Sequence, residues 1–320
     1  MTSRPTPSSS RRLPLGVALA GSVLVGALTS VQAQMNGALG AALDDGFVAA
    51  LISFGSGFAI LIVLSAATPA GRAGAARLFR GVRGGHVPLW MLIGGFAGAF
   101  TVVAQGLMVA VIGVATFTVG VVAGQTVNGV LLDRFGYGPS GVVSVTVGRL
   151  VGGALAVAAV VVTLLGEDSS RIPPWMLVLP FLAGAGIAWQ QATNGRLRHA
   201  VESPLTATLV NFAGGTLALA VAAGIRVAVA GAPQSLPAEP WLYLGGATGV
   251  VYIFLSAALV RHTGVLQLGL GSVVGLLLTS VAIDALWPAH AAPPLAVALI
   301  AVGVALVGVI IAVLPRWRRR

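Results

Sequence analysis

The side chains that could do chemistry in this sequence are mainly amides embedded in long apolar runs. Two pairs at i, i+4 spacing, Gln32 with Asn36 and Gln190 with Asn194, each occupy one face of a helix. Polar groups are costly in hydrocarbon. The pairs therefore indicate either uncharged hydrogen bonding to a substrate at alternating gates, or hydrogen bonds between helices or caps at the Asn-Gly helix ends, worth about 0.6 kcal/mol each. Further candidates for the lining of a cavity are Ser53, Gln105, Gln125, Asn128, Trp189, Asn211 and Gln267.

Charged residues in or beside the apolar runs are candidates of a second kind. Arg149 lies about nine residues into the run 140–165, near mid-depth, where an arginine costs roughly 2.5–3.5 kcal/mol. We expect it to bind a carboxylate or other anionic group of the substrate, to pair structurally with Asp133, or to extend its side chain toward the inner surface of the membrane. Asp133 and Asp284 each end an apolar run. That position fits either a carboxylate that carries a coupling proton or a solvated boundary residue.

Enzyme chemistry has little support in the sequence. The chain has no cysteine, which excludes disulfides and thiolate chemistry, and it has no lysine for a phosphate-binding loop. The four histidines fall in loops or at the ends of apolar runs, without the spacing of metal ligands. We therefore predict no catalytic residue, no metal and no cofactor.

Composition places the chain in the membrane. Of its 320 residues 57% are hydrophobic and only 8% are charged, against roughly 25% charged in ordinary soluble domains. The net charge of +10 does not indicate nucleic acid, because the arginines lie in short gaps between apolar runs and at both termini. The expected partner is the lipid bilayer.

The apolar runs are each about 20 residues or longer, the length that a helix needs to cross a bilayer. Most of the 18 arginines fall on one side if both termini are cytoplasmic. Arg11, Arg12 and the run up to Val31-Gln32-Ala33 also resemble a cleavable secretory signal, but the same polar pattern recurs later in the chain, which argues against cleavage. The predicted spans are 14–35, 47–67, 88–110, 114–132, 140–165, 175–195, 204–230, 240–260, 264–284 and 294–314.

The two halves of the chain resemble each other, which is the strongest functional signal in the sequence. Shifts of 158, 151 and 155 positions superimpose residues of the same type in three stretches. The matched pairs include Gln32 with Gln190, Asn36 with Asn194, Phe54 with Phe212, Gly57 with Gly215, Gly94 with Gly245, Gly98 with Gly249, Gly113 with Gly264, Asp133 with Asp284, and Gly148 with Gly303.

Each copy holds five predicted spans, an odd number, so the second copy must enter the membrane in the opposite sense. The predicted fold is therefore all-α and integral to the membrane, with ten transmembrane helices as two inverted five-helix repeats. Inversion would place the two amide pairs at opposite mouths of a central pathway. The predicted segments are a disordered cytoplasmic tail (1–12), the first repeat (13–166), an outer linker (167–174), the second repeat (175–315) and a basic cytoplasmic tail (316–320).

Two blocks carry a resemblance to a known family. Gln34-Met35-Asn36-Gly37-Ala38-Leu39 with Ser53-Phe54-Gly55-Ser56-Gly57, and Asn194-Gly195-Arg196-Leu197 with Asn211-Phe212-Ala213-Gly214-Gly215, resemble the YdcZ-like family of the drug/metabolite transporter superfamily. The resemblance implies a five-plus-five inverted fold and an exporter role in the inner membrane. The related four-helix multidrug exporters carry an acidic coupling residue in the first helix, and the first span here has none.

The sequence thus predicts a secondary transporter of a small metabolite or drug-like molecule, working by alternating access, with a proton or another ion as a coupling partner. Two alternatives remain open: a non-transporting membrane binding or assembly protein, and a lipid-modifying membrane enzyme. Glycines spaced four apart predict close helix contacts, within one molecule or in a homodimer. These pairs are Gly94 with Gly98, Gly120 with Gly124, Gly245 with Gly249, and Gly271 with Gly275.

Overall fold

The computed structural model describes residues 14–138, 141–142, 144–163, 173, 175–289 and 291–313, without the side chains of 15, 175, 257, 260–267 and 313. Within these ranges the regular structure is helical, with short 3₁₀ turns at Leu89–Leu92 and Pro240–Leu244. The helices are α1 (Leu15–Leu43), α2 (Gly46–Ala67), α3 (Pro69–Arg83), α4 (Gly95–Ile112), α5 (Val114–Arg134), α6 (Val147–Val162), α7 (Trp175–Val201), α8 (Pro204–Ala230), α9 (Gly245–Leu286) and α10 (Leu295–Val313).

Seven of the described helical segments are long and apolar enough to cross a membrane: Gly16–Leu43, Gly46–Ala67, Leu89–Ile112, Val114–Arg134, Pro204–Ala230, Leu268–Leu286 and Leu295–Ala312. Two shorter segments, Val147–Val162 and Pro240–Ser256, are also apolar. Many large apolar side chains on these helices are exposed, such as Val63, Leu217 and Val229. Exposed apolar faces of this kind are what a helix presents to lipid.

Helix α3 was missed at the sequence level, where residues 68–87 were expected to form a loop. Thr68 caps this helix, since its hydroxyl oxygen accepts the N–H of Gly71 at 3.1 Å, and Pro69 takes the first helical position. The segment is too rich in arginine to span a membrane. Its apolar and basic residues alternate with the period of an amphipathic helix, a pattern that differs from the uniform apolar runs by which spans are recognised.

The predicted spans 240–260 and 264–284 lie within the single helix α9, whose two ends nevertheless run in opposite directions along α1. Before the turn, Gly245 contacts Gln32 and Leu259 lies beside Gly21. After the turn, the Ser272 hydroxyl donates to the carbonyl oxygen of Ser22 at 3.2 Å. Further along, the Ser30 hydroxyl donates to the Leu276 carbonyl at 2.6 Å. The chain therefore reverses between Leu259 and Gly271.

Close helix contacts occur at positions that the sequence repeat relates. Added methyl groups at Gly124 and Gly275 would collide with the carbonyl oxygens of Phe181 and Val23, respectively. In the same way Gly120 lies against Pro180, and Gly271 lies against Ser22. Phe181 and Val23, like Pro180 and Ser22, are related by the shift of 158. Two of the predicted glycine pairs, Gly120 with Gly124 and Gly271 with Gly275, are therefore used for helix packing within one molecule, while a homodimer stays a prediction.

Candidate functional site

The first amide pair belongs to a buried cluster in which α1, α2 and α4 meet the start of α9. We call Gln32, Asn36, Ser53, Gln105, Gly245 and Gly249 the Asn36 cluster. The Gln32 amide donates to the carbonyl oxygen of Gly245 at 2.8 Å, and the Asn36 amide donates to Gln105 Oε1 at 2.7 Å. Gln32 is 7% exposed and Asn36 is fully buried. Both amides therefore hold helices together at a point sealed from solvent.

The second amide pair forms a matching cluster in which α7 and α8 meet the start of α4. We call Gln190, Asn194, Asn211, Gly94 and Gly98 the Asn194 cluster. The amides of Gln190 and Asn194 both donate to Asn211 Oδ1, at 2.9 and 3.0 Å. Gln190 and Asn194 are partly exposed, whereas their counterparts Gln32 and Asn36 are buried. The same residue types thus occupy a sealed and a more open position.

Glycines allow each amide pair to approach its partner helix. An added methyl group at Gly98 would lie 2.5 Å from Gln190 Nε2, and one at Gly249 would lie 2.6 Å from Gln32 Nε2. One at Gly94 would lie 2.7 Å from Asn194 Oδ1, and one at Gly245 would overlap Asn36 Oδ1. Each amide pair therefore packs on a glycine pair from the other half of the sequence.

Phe54 and Phe212 stack between the two clusters, with ring centroids 4.8 Å apart. A methyl group at Gly98 would approach the Phe54 ring to 2.9 Å, and one at Gly249 would come within 3.8 Å of the Phe212 ring. The two clusters therefore flank one central aromatic pair, where α2 crosses α8.

One residue difference breaks the match between the clusters. Asn211 provides an amide oxygen, while Ser53 stands at the equivalent position. The Asn36 amide donates to Gln105 instead, and Asn36 Oδ1 and the Ser53 hydroxyl are buried without a hydrogen-bond partner among the described residues. Both atoms face Gly245, which leaves no space for a further group. In this conformation the Asn36 cluster is a closed contact between helices.

The other predicted cavity residues are distributed between α5, α7 and α9. Gln125 donates to Gln191 at 3.2 Å, and Asn128 donates to the Ala185 carbonyl at 2.6 Å, so both join α5 to α7. Trp189 is partly exposed on α7. Gln267 lies on α9, and its side chain is outside the described residues.

Arg149 lies at the start of a helix, not about nine residues into one as the run 140–165 predicted. Helix α6 begins at Val147, so Arg149 lies in its first turn, where the Thr146 hydroxyl caps the helix. Its guanidinium donates to Asp133 at 2.7 Å, with the two side chains 27% and 35% exposed. Its pairing with Asp133, one of the expectations, is thus present in the structure, while binding of an anionic group stays a prediction.

Asp284 binds the start of another helix, a role that the sequence did not indicate. Its carboxylate oxygens accept the N–H groups of Val114 and Ala115 at 2.7 and 2.8 Å. These residues follow Gly113, whose φ of 83° opens the turn between α4 and α5. Asp284 also lines a cavity of about 180 Å³ together with Gln34, Ala38 and Trp287. Asp284 therefore caps α5 from α9.

Two backbone carbonyl oxygens and two aromatic rings surround the Arg196 guanidinium, an arrangement that the sequence did not indicate. The Arg196 guanidinium donates to the carbonyl oxygens of Tyr137 and Gly136 at 2.5 and 3.0 Å. It lies 5.6 Å from the ring centre of Trp90 and 5.2 Å from that of Tyr137. Arginine near the end of a helix is a recognised capping signal, but the partners lie about 60 positions away in sequence. No local pattern could have revealed them.

Among the described residues no group of acidic, histidine or cysteine side chains could hold a metal ion. Apolar helices that expose aliphatic faces, and amides that are bonded between helices, define an all-helical integral membrane protein.

Comparison with known proteins identifies the family. The chain matches the model of the family described as "Putative inner membrane exporter, YdcZ" twice, over residues 17–162 and 175–311. It belongs to that family and is a multi-pass protein of the inner membrane. The expected resemblance is confirmed, while no curated protein matches the chain.

Proposed function

We propose that this chain is a secondary transporter that exports a small molecule across the inner membrane by alternating access. Its halves form two inverted sets of five spans. The ninth and tenth of these spans are the second leg of α9 and α10, and both termini face the cytoplasm. The Asn36 and Asn194 clusters act as two gates.

The paired clusters are the observation that carries this proposal. Each gate joins an amide pair of one half to a glycine pair of the other half, around the same stacked Phe54 and Phe212. Halves related in this way can exchange their packings, which is how inverted-repeat transporters open to one side and then the other. A static binding or assembly protein has no need of two equivalent contacts in different states of closure.

The two gates pack differently, which supports a pathway that is closed at the Asn36 cluster and open at the Asn194 cluster. Beyond Asn36, α1 packs closely on α4: a methyl group at Gly37 would lie 2.6 Å from Val109 Cβ, and one at Gly40 would collide with the Gly106 carbonyl. Position 198 corresponds to Gly40 and holds an exposed arginine. An arginine prevents the same close contact. With both termini cytoplasmic, the pathway is closed toward the outside and opens toward the cytoplasm.

The chemistry of the gates favours a substrate with little charge. The gates offer amides and an aromatic pair, whereas the ion pair of Arg149 with Asp133 lies at a helix end. Polyanions would lack enough cationic partners there. We therefore expect a neutral, weakly charged or single-carboxylate compound.

Flux through purified protein in proteoliposomes tests the proposal. Internal pH and membrane potential are followed while a panel of neutral metabolites, monocarboxylates and cationic dyes is added. We expect flux of one compound class that is lost in Asn36→Ala and Asn194→Ala. The control is Gln234→Ala in the exposed loop between α8 and α9, which should transport normally.

If folded protein transported none of the compounds, the result would count against transport and favour the binding-protein alternative. Flux that persists in both asparagine variants would refute the gates while leaving transport intact. Changes of internal pH that accompany the flux would identify the proton as the coupling ion.

A further inference from the structure

Helix α3 connects two segments that are long and apolar enough to cross a membrane, Gly46–Ala67 and Leu89–Ile112. It begins two residues after α2 ends at Ala67, and the next apolar segment starts at Leu89. Its 15 residues include four arginines and no acidic residue. The helix is therefore a strongly cationic element next to the surface of the bilayer.

One face of α3 is fixed to the corner between α7 and α8. Gly74 lies against Thr206 and Ser203, where a methyl group would overlap the Thr206 hydroxyl. The Arg77 guanidinium donates to the carbonyl oxygens of Val201 and Glu202 at 2.7 and 3.2 Å. These contacts fix the orientation of α3, so its other face points away from the protein.

The outward face combines cations with an uncovered aromatic ring. Phe79 is 60% exposed, and the Arg83 guanidinium lies 5.0 Å from the centre of its ring. Arg72 and Arg80 are exposed, and each uses one N–H to bind a nearby carbonyl, of Ala66 and of Ala76. A guanidinium has five N–H donors, so most of their donors stay available.

We propose that the outward face of α3 binds anionic phospholipid headgroups of the surrounding membrane. The ring of Phe79 would enter the boundary between headgroups and acyl chains, as apolar residues of interfacial helices do. Arg72, Arg80 and Arg83 would then bind phosphate oxygens, for which the planar guanidinium is well suited. Since α3 is fixed to the corner that carries Asn194 and Asn211, the bound lipid would also hold that gate in place.

Native mass spectrometry of the full chain tests the proposal. The protein is purified in detergent with equal amounts of phosphatidylglycerol and phosphatidylcholine, and the retained lipids are counted. Wild type should retain mainly phosphatidylglycerol, and Arg80→Gln/Arg83→Gln should lose about half of it, since each arginine near a membrane surface adds to anionic lipid binding. The control Arg134→Gln/Arg226→Gln removes the same charge away from α3. It should retain phosphatidylglycerol like wild type.

Equal retention of phosphatidylglycerol in the α3 variant and in the control would overturn the proposal. Hydrogen exchange of unmodified protein in nanodiscs gives a second measurement that needs no variant. Peptides covering residues 69–83 should exchange more slowly in phosphatidylglycerol than in phosphatidylcholine. The same exchange rate in both lipids would also overturn it. Neither measurement depends on transport, so failure here leaves the proposed function untouched.

Discussion

Asn211 shows how a single side chain sets the hydrogen bonding of a whole cluster. Its Oδ1 accepts from both Gln190 and Asn194, while Ser53 at the equivalent position accepts from neither Gln32 nor Asn36. A hydroxyl is shorter than a carboxamide and cannot reach two donors at once. The Asn194 cluster therefore depends on one acceptor, and the Asn36 cluster relies on Gln105 and the Gly245 backbone.

Asn211→Ser should destabilise the protein by about 1–3 kcal/mol, since two hydrogen bonds of about 0.5–1.5 kcal/mol each are lost. Thermal unfolding in detergent measures the effect. Gln234→Ser changes an exposed amide in the loop before α9 and serves as the control. Equal melting temperatures for wild type and Asn211→Ser would show that Gln190 and Asn194 find other partners.

Asp284→Ala should cost about 0.5–2 kcal/mol of stability, the usual range for a lost helix cap. The N–H groups of Val114 and Ala115 would lose their acceptor. Asp284→Asn keeps one oxygen and should cost less. Asp44→Asn is a suitable control, because Asp44 is exposed and its φ of 49° is one that asparagine tolerates. A melting temperature of Asp284→Ala equal to that of this control would contradict the capping role.

The sequence drew attention to the amides of the candidate site but gave no information on their hydrogen-bond partners. Gln32, Asn36, Gln190 and Asn194 could be found because amides within apolar runs are unusual. Their partners come from other helices of a packed bundle, and local spacing holds no information on which helices meet. Arg149 was misplaced within its helix for a related reason: residues 141–142 and 144–146 belong to an apolar run but are not helical, with Gly141 at a φ of 70°.

At the scale of helices, glycines that let two backbones touch determine how the bundle packs. Gly124 and Gly275 allow the backbones of α7 and α1 to touch α5 and α9 directly. Dispersion forces and small residues drive such packing in lipid, where the hydrophobic effect between helices is missing. A side chain in these places must push two helices apart, because the atom that it meets belongs to a backbone.

Gly124→Ala and Gly275→Ala should each destabilise the protein by about 1–3 kcal/mol, the cost of overpacking. Gly129→Ala and Gly269→Ala are matched controls, since no atom of the described residues lies within 4 Å of an added methyl group at either position. Those controls should be neutral or gain up to about 1 kcal/mol from helix propensity. Melting temperatures of the four variants should therefore separate into two groups. Equal melting temperatures for all four variants would show that the close backbone contacts at Gly124 and Gly275 do not contribute to stability.

The helices themselves were predictable from apolar length, and the exceptions are informative. Helix α3 was not predicted, because its apolar residues occur at amphipathic spacing and form no uniform apolar run. The two legs of α9 were predicted as separate spans from the polar gap at Arg261 and His262. The structure gives helical residues from Gly245 to Leu286 with a reversal between Leu259 and Gly271, and the crossing of the membrane by each leg stays a prediction.

At the scale of the whole molecule, related contacts are formed on both sides of Phe54 and Phe212 but are closed to different degrees. Gly37 and Gly40 pack on α4, while Arg198 is exposed at the position equivalent to Gly40. If the two halves exchange packings, the contact of α1 with α4 must open during each cycle. A protein that keeps one conformation can retain the contact permanently.

A cross-link between α1 and α4 should therefore stop transport. The chain has no native cysteine, so Gly37→Cys/Val109→Cys introduces the only thiols. The Cβ positions of 37 and 109 are 2.6 Å apart, so a small shift brings them to the disulfide separation of about 3.5–4.5 Å. We expect oxidation to abolish flux of the compound identified in proteoliposomes, and reduction to restore it. Each single cysteine variant should be insensitive to oxidation. Full transport by cross-linked protein would mean that this contact never opens, and alternating access around the two clusters would have to be abandoned.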